Sequence, residues 1–147
     1  MKKADFSYSG FTLKEAVIRK ILVISVLALL VQPAISWAKD ARAYSAVSPG
    51  IERLDSVMAY PVANDNEVGK IAKVYIDVSY AGNAAVHSEL CHASGSPCIQ
   101  VGSVGRQSTV FEGLDAAVGF VLKHNVQRWG SSPRPLFIQS NLGVWTQ

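Results

Sequence analysis

The chain predicts an all-β fold, a small antiparallel β-sandwich or partly open barrel with one disulfide-clamped hairpin, preceded by a signal peptide. Three observations carry this. From Lys70 onward apolar and polar residues alternate with a period of two, the pattern of half-buried strands. Short runs of this kind are punctuated by Gly, Asn, Ser and Pro at roughly 8–12-residue intervals, as in antiparallel sandwiches. Two cysteines, Cys91 and Cys98, flank a loop of turn residues, His92-Ala93-Ser94-Gly95-Ser96-Pro97.

The length of 147 residues suits one folded domain. The net charge of +3 sits at the front: residues 1–38 hold five Lys/Arg against two Asp/Glu, and residues 39–147 hold nine of each. A neutral body without a basic run is a poor nucleic-acid binder, because such binding draws its affinity from phosphate neutralisation. Basic residues, then the apolar run Ile21–Val31 broken by Ser25, then Ser36-Trp37-Ala38, read as a secretory leader over residues 1–38 with cleavage after Ala38. The apolar run is short for a membrane span, so no stable insertion is expected after cleavage. The n-region is long, and the sequence leaves open whether residues 1–16 belong to it.

In the oxidising compartment that a leader implies, the two cysteines are most simply one disulfide, Cys91–Cys98. His87, Cys91, His92 and Cys98 could in number make a metal set, but the spacing matches no paired zinc pattern, and disulfide is favoured. The C-x6-C spacing also departs from the redox-active C-x-x-C.

Residues 39–69 read as a mobile or edge segment, and residues 70–147 as the sandwich core. Lys39–Ile51 is small and polar with one aromatic, Tyr44. Ile51–Pro61 has apolar residues at Ile51, Leu54, Val57 and Met58, which fits a helical turn or an irregular strand equally. Residues 64–69 form a turn cluster whose calcium-loop reading fails, since Val68 and Tyr75 stand where ligands belong. Val74, Ile76, Val78 and Tyr80 share one strand face. Val86, Ser88 and Leu90 oppose His87, Glu89 and Cys91 on the next strand, and Cys98–Val101 is its return. Further strands are expected at Gln107–Phe111, Ala116–Val126, Leu136–Gln139 and Leu142–Trp145, the last two turning at Ser140-Asn141. His124, at a strand end, reads as a surface residue.

No catalytic residues are assigned: a G-x-S-x-G elbow, a P-loop and a dinucleotide fingerprint are all lacking, and no pair of carboxylates is set around one bond. Nor is any cofactor or metal implied. What remains is a surface that could bind. Arg and Trp are enriched at interface hot spots, so Arg106, Phe111, Arg128, Trp129, Arg134 and Trp145 are the candidate partner surface.

Several residues together resemble the flagellar FlhE family: Leu90-Cys91, Cys98-Ile99, the distance from Cys98 to Phe111, Phe111-Glu112-Gly113-Leu114 with Ala116-Ala117 after it, and Gln139/Asn141 before Val144-Trp145. The resemblance covers about residues 70–147, and 44–69 more loosely. The loop between the cysteines is longer than the family's C-x4-C, and Trp145-Thr146-Gln147 departs from its usual Asn-Tyr-basic finish. The resemblance implies a periplasmic, non-enzymatic flagellar accessory that regulates the type III export apparatus as a chaperone or plug, limiting premature export or proton leak and affecting swarming. Its expected partners are export-gate or rod and hook proteins on the periplasmic side. The oligomeric state stays open. Two other classes remain: a secreted glycan- or host-surface-binding module, and a small periplasmic enzyme using His87 or His124 beside a carboxylate.

Overall fold

A computed structural model describes residues 40–63 and 67–147. The leader expected over 1–38 and the turn residues 64–66 lie outside them. Eight strands build two four-stranded antiparallel sheets. Sheet I has the order β1(Asp40–Val47)-β8(Gln139–Thr146)-β3(Ile71–Ser79)-β6(Arg106–Ser108); sheet II has β2(Val57–Ala63)-β7(Phe120–Arg128)-β4(Ala85–His92)-β5(Cys98–Val101). Among the described residues, β4–β5 is the one pair of consecutive strands bonded to each other. Every other connection crosses from one sheet to the opposite one, the habit of a sandwich rather than a meander.

The period-two runs do what their chemistry dictates. Val74, Ile76 and Val78 of β3 bury on one side, as do Phe120, Leu122 and Val126 of β7, and Leu142 and Val144 of β8. Ile51, Ile71, Leu90, Phe111, Leu136 and Ile138 complete a core between the sheets. Burying a side chain of this size contributes roughly 1.5–3 kcal/mol. Phe111 meets Phe120 edge to face with ring centroids 5.2 Å apart, a favoured aromatic geometry.

Three expectations from the sequence change. Leu136–Trp145 is not two strands around a turn: β8 runs unbroken through Ser140 and Asn141. The buried Ser140 hydroxyl donates to Ala46 O at 3.2 Å, and Asn141 Nδ2 donates to Asp77 Oδ1 at 2.9 Å, so both polar side chains find partners inside the sheet. Ala116–Val118 is a 3-10 turn capped by Asp115, and β7 begins only at Phe120. Phe111 lies in a turn beyond the end of the short β6. Residues 40–63 contain β1 and β2, an edge strand of each sheet.

Candidate functional site

Three places in the fold gather functional groups, beginning with the hairpin. His92 N–H donates to Pro97 O at 3.0 Å, so Cys91 and Cys98, one step nearer the strands, form a non-hydrogen-bonded pair. Such pairs bring Cα atoms close, here to 4.0 Å, and the sulfurs are bonded at 2.06 Å. The bridge lies on the outer side of sheet II, with Glu89 near it. Its sulfurs are consumed in the S–S bond, which removes them as metal ligands. His92 points the other way, into the core, where Nε2–H donates to Asp115 O at 3.0 Å and the ring packs on Phe120.

A second grouping lies inside the sandwich. His124 is not on the surface: it is fully buried, with Nδ1 2.7 Å from Ser88 Oγ and Nε2 2.9 Å from the Tyr60 hydroxyl. Burial pushes its pKa down to about 4, so the imidazole is neutral, donating to one hydroxyl and accepting from the other. Burial also raises the Tyr60 pKa, opposed by the Ser140 hydroxyl from sheet I. The hydrogen-bonded chain Ser88–His124–Tyr60 runs across three strands of sheet II. Both ring nitrogens of His124 are engaged by hydroxyls, not by a carboxylate. The carboxylate neighbour belongs to His87, whose Nε2 is 3.1 Å from Glu89 Oε1 on the open outer face of sheet II.

The third place is the outer face and free edge of sheet I. Register aligns Ala41 with Trp145 and Lys73, Ala43 with Gly143 and Tyr75, Ser45 with Asn141 and Asp77, and Val47 with Gln139 and Ser79. The Trp145 ring lies along β8 over Gly143, where an added Cβ would stand 3.1 Å from it. Lys73 Nζ sits 4.8 Å from the Trp145 ring centroid, a cation–π contact. Ser45 Oγ donates to Asn141 Oδ1 at 3.2 Å, and Asn141 in turn reaches Asp77. A mainly apolar groove of about 360 Å³ opens among Ala43, Ser45, Tyr75, Asn141, Gly143 and Trp145, and a second, more polar one of about 340 Å³ between Val47, Ser79, Tyr80, Phe137 and Gln139.

The six residues expected to form a partner surface do not come together. Phe111 is fully buried against Phe120. Trp129 is 6% exposed, with the Arg134 guanidinium 4.6 Å over its ring. Both are apolar groups the core could bury, which explains why interface statistics misplace them. Arg106 and Arg128 are exposed on different sheets, Arg106 donating to Gln100 O at 3.3 Å. Arg134 lies in the loop before β8 and Trp145 near the far end of that strand. Of the six, only Trp145 lines a groove described above. The edge strand β1 falls in the segment read from the sequence as mobile or edge, but none of its residues was among the six.

No known sequence family matches the chain, and no curated protein does. Among solved structures it is similar to that of FlhE, with a TM-score of 0.54 at 18% identity, over 72% of this chain and 94% of that one. The fold is FlhE-like. A looser likeness, TM-score 0.47 at 8% identity, is to the structure of tomato aspermy virus, over 88% of this chain and 95% of that one. The FlhE-like sandwich carries the disulfide hairpin on one sheet and the long free edge on the other. No helix among the described residues is long and apolar enough to cross a membrane.

Proposed function

We propose that the protein is a non-enzymatic periplasmic accessory of the bacterial flagellum, binding components of the flagellar type III export apparatus or its rod and hook cargo and so limiting premature export or proton leak. The observation that carries this reading is the FlhE-like fold, matched over nearly the whole of the FlhE chain, together with the residues around Cys91, Cys98 and Phe111 that resemble that family. Oxidation of Cys91 to Cys98 and the leader-like front fit export. A rigid sandwich with a neutral, hydroxyl-satisfied imidazole at its centre suits binding rather than bond-making.

The test is genetic. Deleting the gene should alter swarming, the timing of flagellar export or proton permeability, and the wild-type chain should restore them. Unchanged flagellation, swarming and permeability in the deletion strain would leave this reading without support.

A second reading, a glycan-binding module, has one observation in its favour, the half-exposed Trp145 beside Tyr75 and the polar row Ser45-Asn141-Asp77. Binding to purified peptidoglycan, lost in Trp145→Ala, would favour it over the first.

A further inference from the structure

Each sheet edge but one is defended against strand addition. β2 carries Pro61 and a register shift between Pro61 and Ala63; β5 has four residues and β6 three. Proline, bulges and shortness are the usual means of blunting an edge. β1 has eight residues, Asp40–Val47, with no Pro, and its charged residues, Asp40 and Arg42, are confined to one end, leaving Ala43–Val47 without charge.

Its hydrogen-bonding direction follows from the ladder. Ser48 N–H donates to Ile138 O at 2.9 Å, in the same register as the β1–β8 pairs, so Ala46, Tyr44 and Arg42 turn their backbone groups toward β8. Ala43, Ser45 and Val47 turn theirs outward, and no partner meets them among the described residues. Only Ala41 N–H is taken, by Asp40 Oδ1 at 2.8 Å, which closes that end.

The same residues place their side chains on the outer face. Ala41, Ala43 and Ser45 are small, so nothing tall stands between the free edge and the groove floored by Gly143. The two grooves lie at the rows of Ala43 and Val47, four residues or roughly 13 Å apart. The Ser45-Asn141-Asp77 row, polar, forms the near wall of the first groove and separates its Gly143 floor from the second. Val47 is 60% and Phe137 54% exposed, an apolar cost that an occupant would relieve.

We propose that β1 is a docking strand for an extended segment of another polypeptide, with apolar side chains at positions i and i+4 and a small or polar one at i+2. The inference rests on reading the protein as a non-enzymatic binder, and names the surface and the pattern it selects. The pattern is symmetric, so either strand direction satisfies it. A second copy of β1 does not fit: paired antiparallel, it offers Ala43 and Val47 to the two grooves and leaves one nearly empty. Backbone hydrogen bonds supply affinity here and the grooves specificity, the division of labour in β-augmentation.

The probe is a fluorescent nine-residue peptide, mostly threonine, with phenylalanine at its third and seventh positions and serine at its fifth. Fluorescence anisotropy with the full chain should show saturable binding. N-methylation of the peptide nitrogens that face β1 should abolish it, and moving the second phenylalanine to the fifth position should weaken it about tenfold. Ala43→Pro removes an outward N–H without touching the β8 ladder and should also weaken binding about tenfold. Should that variant fail to fold, the N-methylated peptide against the wild-type chain still decides. Equal binding of the plain, methylated and respaced peptides overturns the proposal. So does a dimer in solution that the peptide cannot dissociate. A chain that binds no such peptide yet restores swarming to a deletion strain also overturns it, while leaving the flagellar reading standing.

Discussion

The phenol of Tyr60 and the imidazole of His124 are hydrogen-bonded at 2.9 Å across neighbouring strands β2 and β7, with the histidine fully shielded from water. On its other side Ser88 holds the ring at 2.7 Å. The sandwich therefore carries a titratable group at its centre whose charged form it rejects.

Stability should fall with acid through this residue. The folded pKa, about 4, lies below the unfolded value of 6.5, so the unfolded chain binds the extra proton between these limits. His124 thus leaves stability undiminished above about pH 6.5 and withdraws on the order of 3 kcal/mol as pH falls to 4. Urea unfolding at pH 7, 5.5 and 4 should show the decline, and His124→Gln should flatten it.

Phe111 tests the reassignment of that residue from surface to core. Phe111→Ala should lower stability by about 3–5 kcal/mol, because it empties a fully buried site and removes the edge-to-face contact with Phe120. A loss under 1 kcal/mol would return it to the surface.

Cys91→Ala with Cys98→Ala should cost about 2.5 kcal/mol, the loop-closure value for a ring this short. Thiol titration of denatured protein purified from the cell envelope should find no free sulfhydryl. Free thiols there would contradict an exported, oxidised chain.

Glu67 is 5% exposed and accepts a hydrogen bond from the Tyr44 hydroxyl, with Arg42 Nε 3.7 Å away; it ties β1 to the loop before β3. Burial, with Glu67 adding to it, pushes the Tyr44 pKa up to about 12. Glu67→Ala should speed amide exchange at Arg42, Tyr44 and Ala46 about tenfold or more, with β7 amides unchanged. Equal exchange would mean that β8 alone holds β1.

Gly82→Ala should destabilise by about 1–3 kcal/mol. Its φ is +86°, and an added Cβ would lie 2.6 Å from the Ser132 Cα, backbone that cannot step aside. Thermal unfolding of this variant would measure it.

How much of this was legible in the sequence depends on where each residue's partners lie. Val74, Ile76 and Val78 reveal their strand because the period is local. The hairpin at Cys91 and Cys98 is legible for the same reason, being among the described residues the one pair of consecutive strands bonded to each other. Ser140 and Asn141 look like a turn until Ala46 and Asp77 are brought to them from distant segments. His124 looks like a surface group because the hydroxyls that make its burial tolerable, on Ser88 and Tyr60, lie 36 and 64 residues away. The candidate surface failed on Phe111 and Trp129 because residue type alone does not separate an anchor for a partner from an anchor for the core.

The order β1-β8-β3-β6 sets the last strand of the body at an interior position of its sheet. The first strand accordingly has nothing to pair with until the rest of the sequence has emerged. In such an order sheet I closes only when β8 is inserted between β1 and β3, which makes its formation depend on contacts distant in sequence.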